Sequence, residues 1–153
     1  MTIIVWDGKT LAADKQATDD GVRRTVTKIR RVKSGPNKGC LIAGSGACSQ
    51  ANAMMDWFED GADPSLYPKH QENDQLAAIL TVITPEKYII RFEYTPTPIL
   101  FEDAQYCTGS GRDVAYGALA MGADAVKAVE IVCDHVIDCG MGIDYLHMKG
   151  KRK

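Results

Sequence analysis

The chain has 153 residues, of which 45% are apolar and 25% charged, the balance of a single globular domain with a buried core. Its apolar runs are only a few residues long, too short to span a bilayer, and residues 1–25 lack the basic start and long apolar stretch of a secretory signal. The net charge of −2 leaves Arg23, Arg24, Lys28, Arg30, Arg31 and Lys33, and the tail Lys149, Lys151, Arg152 and Lys153, as local clusters rather than a broad basic face, so nucleic-acid and membrane partners are set aside.

Thr2–Trp6 is a short β-rich run, Asp7-Gly8-Lys9 a turn, and Thr10–Asp14 a second strand, which together predict a hairpin at the start of the chain. Val26–Val32 alternates apolar and polar residues and reads as a half-buried strand. Ser34–Gly39 is a turn, Cys40–Ala43 a buried strand, and Gly44-Ser45-Gly46 a break before a helix that carries Met54, Met55 and Phe58 and stops near Gly61. Residues 61–75 are polar, hold two prolines and predict a loop. Leu76–Ile83 and Tyr88–Tyr94 are strand-like around Pro85-Glu86-Lys87, and Ile99–Phe101 and Gln105–Thr108 return to extended structure. After Gly109-Ser110-Gly111 come two helices. Arg112–Met121 carries Val114, Ala118 and Met121 on one side. Asp124–Cys139 is capped by Asp124 and carries Ala125, Val129, Val132, Cys133 and Val136. Ile143–Met148 is a last strand before a frayed basic tail, residues 149–153. Strands followed by helices, without strict alternation, predict an antiparallel α+β layered fold in one domain, residues 1–153. The five cysteines are odd in number and form no CxxC pair, so neither a disulfide framework nor a zinc site is indicated, and a reducing cytoplasm is expected.

Several segments in order carry a resemblance. Met1-Thr2-Ile3-Ile4-Val5 is followed by Ala12-Ala13-Asp14-Lys15-Gln16-Ala17-Thr18 and by Thr25-Val26-Thr27-Lys28-Ile29-Arg30-Arg31-Val32. Then come Ala43-Gly44-Ser45-Gly46-Ala47, Thr108-Gly109-Ser110-Gly111 and Val114-Ala115-Tyr116-Gly117-Ala118-Leu119. In order and spacing these resemble proteasome β subunits and the bacterial HslV peptidase, over most of the chain except residues 60–100. The resemblance implies a four-layer αββα sandwich of two antiparallel sheets, the N-terminal-nucleophile (Ntn) hydrolase type, with a shortened middle segment. It implies a threonine endopeptidase in a ring-like homo-oligomer, acting on peptides or unfolded protein, with an ATP-dependent unfoldase as a further partner. The competing readings are a catalytically inactive scaffold of the same fold and an Ntn hydrolase of small amides.

The implied chemistry begins with removal of Met1, which frees the α-amine of Thr2. An α-amine ordinarily titrates near pH 7.7–8.0, low enough to take the hydroxyl proton at neutral pH. One residue then supplies both nucleophile and base. By the resemblance Lys28 is the active-site lysine, Asp14 the carboxylate that orients it, and Gly46 the oxyanion-hole glycine. Ser110 is the serine beside the nucleophile's amine. Thr18 matches a position that binds substrate backbone, and Ala17, Val26 and Cys48 match the first specificity pocket. No cofactor is required, and backbone carbonyls of Cys133, Val136 and Cys139 match positions that hold a structural cation. The sequence departs from the family in three places. Residues 60–76 form a proline-bearing loop where a long helix is usual, and Gln50 replaces a frequent aspartate. Val136 stands where proteasome subunits carry an aspartate that supports the serine, with Asp134 and Asp138 on either side.

Overall fold

The computed structural model describes residues 2–70 and 77–150, so Met1, the end of the middle loop at 71–76 and the tail at 151–153 lie outside the described residues. The described residues fall into two compact units: residues 2–29 with 103–148, and residues 30–70 and 77–102 with 149–150.

The first unit is built on a sheet of β1 (Ile3–Trp6), β2 (Thr10–Asp14), β10 (Tyr106–Gly109) and β11 (Ile143–His147), in the order β10-β1-β2-β11. All its pairings are antiparallel, with Ile4 opposite both Thr108 and Ala13, and Ala12 opposite Tyr145. β1 and β2 are buried at every position, which explains why Ile3–Trp6 and Leu11–Ala13 read as unbroken apolar runs rather than as alternating ones. The expected hairpin between them is present: Asp7 accepts the Lys9 and Thr10 N–H groups on one carboxylate oxygen, both at 2.8 Å. Its other oxygen accepts the Ala125 N–H at 2.8 Å, tying the turn to the start of α3 (Ala125–His135).

Helices α2 (Arg112–Ala120) and α3 cover this sheet, and Ile3, Val5, Ala12 and Cys107 pack with Ala115, Ala118, Leu119, Ala128, Val129 and Val132. Asp124 caps α3 as expected, accepting the Lys127 N–H at 2.8 Å. Two helix expectations are corrected. Val114 and Met121 do not face the core; they are exposed, because α2 buries the stripe Gly111, Ala115, Ala118 and Leu119, one residue around from the predicted face. And α3 ends at His135 rather than Cys139: Val136 takes an extended conformation (φ −115°, ψ 109°) and the Cys139 N–H closes a turn on the Val136 carbonyl at 3.0 Å.

A second hairpin of this unit, β3 (Gln16–Asp19) with β4 (Val22–Thr25), was not predicted. Its turn, Asp20-Gly21, has positive φ at both residues (47° and 76°), the mirror-image turn that suits a two-residue hairpin. The Asp-Gly signal was there, but the flanking strands are polar and largely exposed. The strand expected over Val26–Val32 is correspondingly shorter, β5 (Ile29–Arg31), with Val26 donating its N–H to the Lys15 carbonyl at 2.8 Å.

The second unit contains the sheet of β5, β6 (Leu41–Ser45), β7 (Ile79–Ile83), β8 (Ile89–Phe92) and β9 (Ile99–Phe101), in that order. Helix α1 (Cys48–Glu59) packs on it through Ala51, Met54, Met55 and Phe58 against Ile42, Leu80 and Val82. β6 continues through Gly44 and Ser45, and the break falls at Gly46. The prolines of the 61–70 stretch form only a single 3-10 turn, Pro64–Leu66, so the described part of the predicted loop contains no α-helix. Tyr67 anchors that loop, its hydroxyl donating to the Glu93 carbonyl at 2.6 Å and its ring 4.8 Å, centre to centre, from Trp57. An antiparallel α+β fold with helix-backed sheets is thus the observed architecture, as the strand-then-helix order predicted.

Candidate active site

Four of the five predicted catalytic residues come together in the first unit, around the carboxylate of Asp14. This side chain ends β2, is fully buried, and receives four hydrogen bonds. Oδ1 accepts the Ile3 N–H at 3.0 Å and the Lys28 ammonium at 2.7 Å. Oδ2 accepts the Gln16 and Gly140 N–H groups, both at 3.1 Å. A charge removed from water is tolerated only when its lone pairs are filled in this way. Lys28, between β4 and β5, has a side chain only 5% exposed. Because Ile3 and Lys28 share one oxygen, the ammonium is held beside the peptide unit that follows Thr2.

Thr2 is buried. Its carbonyl accepts the Ser110 N–H at 2.9 Å, and the Ser110 hydroxyl donates to the same oxygen across a longer 3.4 Å. Ser110 follows Gly109, where φ is +109° and an added methyl group would overlap the Thr2 carbonyl oxygen. Only glycine allows both the backbone turn and the approach. The chain thus clamps Thr2 from two sides: the Asp14 carboxylate holds the N–H after it, and the 109–110 turn holds its carbonyl.

Gly46, the fifth predicted residue, lies in the second unit between β6 and α1. Its φ is +87°, and an added methyl would overlap the Ala77 carbonyl oxygen. Cys48, the first residue of α1, is exposed in that unit. Of the other predicted binding residues, Ala17 and Thr18 sit on β3 opposite Arg24 and Arg23, and Val26 is half-buried just beyond β4. The three predicted carbonyl ligands cluster at the C-terminal end of α3, where helix carbonyls run out of partners. The Val136 carbonyl already accepts the Cys139 N–H, with one lone pair left over.

Three features of the site were not anticipated from the sequence. Gly140 donates to Asp14 from 126 residues away. Gln16, also buried, uses its side-chain amide on the Ile137 carbonyl at 3.3 Å. The Cys139 sulfur lies 3.6 Å from the Ser110 hydroxyl. No sequence pattern signals any of the three, since each joins segments far apart in the chain. Burial favours the neutral form of the two thiols here. Burial pushes Cys133 up to about 11, with Asp14 adding to the effect. Burial also raises Cys139, against a smaller opposing pull from its Ser110 hydrogen bond.

No protein-family model matches the sequence, and no curated protein matches it. Among solved structures the fold is similar to those of HslV and BPH. Eukaryotic HslV from Trypanosoma brucei is similar with a TM-score of 0.65 and 20% identity, covering 95% of this chain and 97% of that one. Thiobacillus denitrificans BPH in complex with epoxomicin has a TM-score of 0.70 and 18% identity, covering 99% of this chain and 100% of its own. BPH alone has a TM-score of 0.63. The fold therefore extends over essentially the whole length of these chains.

Proposed function

We propose that this protein is a threonine endopeptidase in which Thr2, once Met1 is removed, is the N-terminal nucleophile. The observation that carries the reading is the buried Asp14 carboxylate, which binds both the Lys28 ammonium and the N–H following Thr2. In this reading the free amine of Thr2 takes the hydroxyl proton and the oxygen attacks the scissile carbonyl carbon. The amine then protonates the leaving nitrogen as the C–N bond breaks, and water hydrolyses the ester left on Thr2. Lys28 keeps positive charge beside the reacting oxygen, Asp14 orients Lys28, and Ser110 holds the Thr2 end of the chain. By the sequence resemblance alone, the oxyanion falls to the Gly46 N–H and the substrate to Ala17, Thr18, Val26 and Cys48. On the same basis a cation is assigned to the carbonyls of Cys133, Val136 and Cys139, and an ATP-dependent unfoldase to delivery of protein substrates.

A peptide epoxyketone tests the nucleophile. Its two electrophilic carbons need a hydroxyl and a neighbouring free amine, so it should add once per chain, at Thr2, in protein whose intact mass shows loss of Met1. Thr2→Ala should abolish the adduct. Protein that retains Met1 and takes up no probe would instead be a scaffold of the same fold, a reading that the burial of Thr2 favours.

We also propose a homo-oligomer in the cytoplasm. The support is the outer face of α2, where Val114 and Met121 are one heptad apart and exposed, and the edge strand β9, where Ile99 and Leu100 are exposed. Apolar groups on a free helix face and a free sheet edge are surfaces that a neighbouring copy covers. Sedimentation at micromolar concentration should give a closed species larger than a dimer, and Met121→Glu should dissociate it. A monomer at that concentration would remove the ring from the proposal.

A further inference from the structure

We infer that Arg24 sets the preference of the first specificity pocket, so that the substrate class is peptides with an acidic side chain, aspartate or glutamate, at the residue before the cut. The inference rests on the peptidase reading, which assigns Ala17 and Val26 to that pocket, and adds a residue that the sequence resemblance does not supply.

The β3–β4 hairpin is an arm rooted in the Asp14–Lys28 pair. Its first strand leaves from Asp14 and its second returns to Lys28, and those two side chains meet at 2.7 Å. Along the arm Gln16 lies opposite Thr25, Ala17 opposite Arg24, Thr18 opposite Arg23 and Asp19 opposite Val22. The Val26 N–H bonds the Lys15 carbonyl at 2.8 Å, which extends the same ladder one rung toward the root. Side chains alternate between the two faces of a strand, and directly opposed residues share a face. One face therefore carries Lys15 and Val26, then Ala17 and Arg24, then Asp19 and Val22, while Arg23 and Thr18 belong to the other. Opposed residues have Cβ atoms about 4.5–5.5 Å apart, so Arg24 stands directly beside Ala17. It is also two residues, about 7 Å, along its own strand from Val26. Both pocket residues of this unit thus have the same arginine as a neighbour.

The charges on that face are not equally free. The Lys15 ammonium is taken up by Asp144 at 2.8 Å. Arg24 is exposed and makes no ion pair among the described residues. Asp19 is likewise exposed and unpaired among them, but it sits one rung further out, at the Asp20-Gly21 turn. A substrate side chain beside Ala17 therefore meets the guanidinium first. An unpaired guanidinium matches a carboxylate with two parallel N–H donors, a geometry that a neutral amide or an ammonium cannot use. Because Arg24 faces solvent, the preference is moderate in size and sensitive to salt.

The test is a series of peptide epoxyketones that differ only in the residue next to the reactive group: glutamate, glutamine or lysine. Adduct formation at Thr2 is followed by intact mass on the full chain lacking Met1. The glutamate probe should react about tenfold faster than the glutamine probe, its neutral counterpart, and the lysine probe should be slowest. The glutamate advantage should shrink as salt is raised. In Arg24→Gln the glutamate-to-glutamine ratio should fall to about one, Arg24→Lys should keep part of it, and Arg24→Glu should favour lysine. Arg23→Gln, on the opposite face, should keep the ratio of the unaltered chain. Each ratio is taken within one protein, so a variant with lower overall reactivity still reads the preference. Equal rates for glutamate and glutamine in the unaltered chain, an unchanged ratio in Arg24→Gln, or an equal loss in Arg23→Gln would each overturn the inference while leaving the peptidase reading intact. Failure of every probe to label the unaltered chain would overturn the peptidase reading itself, and the preference with it.

Discussion

Asp14→Ala is expected to destabilise the protein by about 3–5 kcal/mol, the cost of leaving one member of a buried ion pair without its partner. The carboxylate joins four otherwise separate pieces of chain: β1 through the Ile3 N–H, the extended stretch before β5 through Lys28, the start of β3 through the Gln16 N–H, and the turn after α3 through the Gly140 N–H. Alanine would orphan two buried backbone donors near Gln16 and Ile3, and leave the Lys28 ammonium enclosed with its countercharge gone. Urea unfolding followed by circular dichroism measures the loss. A change under about 1 kcal/mol, the level of a solvent-exposed pair, would show that the Asp14 network contributes little to the fold. Asp14→Asn should fall between alanine and the native residue, since an amide oxygen can still accept from the backbone but cannot balance the lysine charge.

Lys28→Met should separate catalysis from folding. The substitution keeps an unbranched side chain of similar length and removes the ammonium. Asp14 would still accept three backbone N–H groups, so its charge would stay hydrogen-bonded, and the stability loss should be about 1–3 kcal/mol, below that of Asp14→Ala. The catalytic loss should be about a thousandfold in kcat, within the span of proton-transfer and charge-stabilising groups. Steady-state cleavage of a fluorogenic peptide, with unfolding measured on the same preparation, reads both quantities. Unimpaired turnover would remove Lys28 from the mechanism. A stability loss as large as that of Asp14→Ala would mark the pair as chiefly structural.

What could be read from the sequence alone was local. The β1–β2 hairpin followed from Asp7-Gly8 between two apolar runs. α3 began where Asp124 offered a carboxylate to a backbone N–H three residues on. α1 declared itself through apolar residues at helical spacing, and the fold class through strands preceding helices. Asp14, Lys28, Thr2 and Ser110 were singled out by the order and spacing of short segments that resemble HslV. Each of these signals acts within a turn or two of chain, where residue type and backbone preference decide the outcome.

Tertiary structure decided the rest. The β3–β4 hairpin has no apolar face to announce it, so only its Asp20-Gly21 turn and its closure made it visible. The buried side of α2 was set by close packing of Gly111 and Ala115 on the unit's core, not by the larger Val114 and Met121. α3 stopped short because Val136 left the helix, and the turn that followed carried Gly140 to Asp14 and Cys139 to Ser110. These contacts join residues 126 and 29 positions apart. Sequence pattern carries no record of such pairings, because they exist only once separate elements have packed and each buried polar group has had to find a partner.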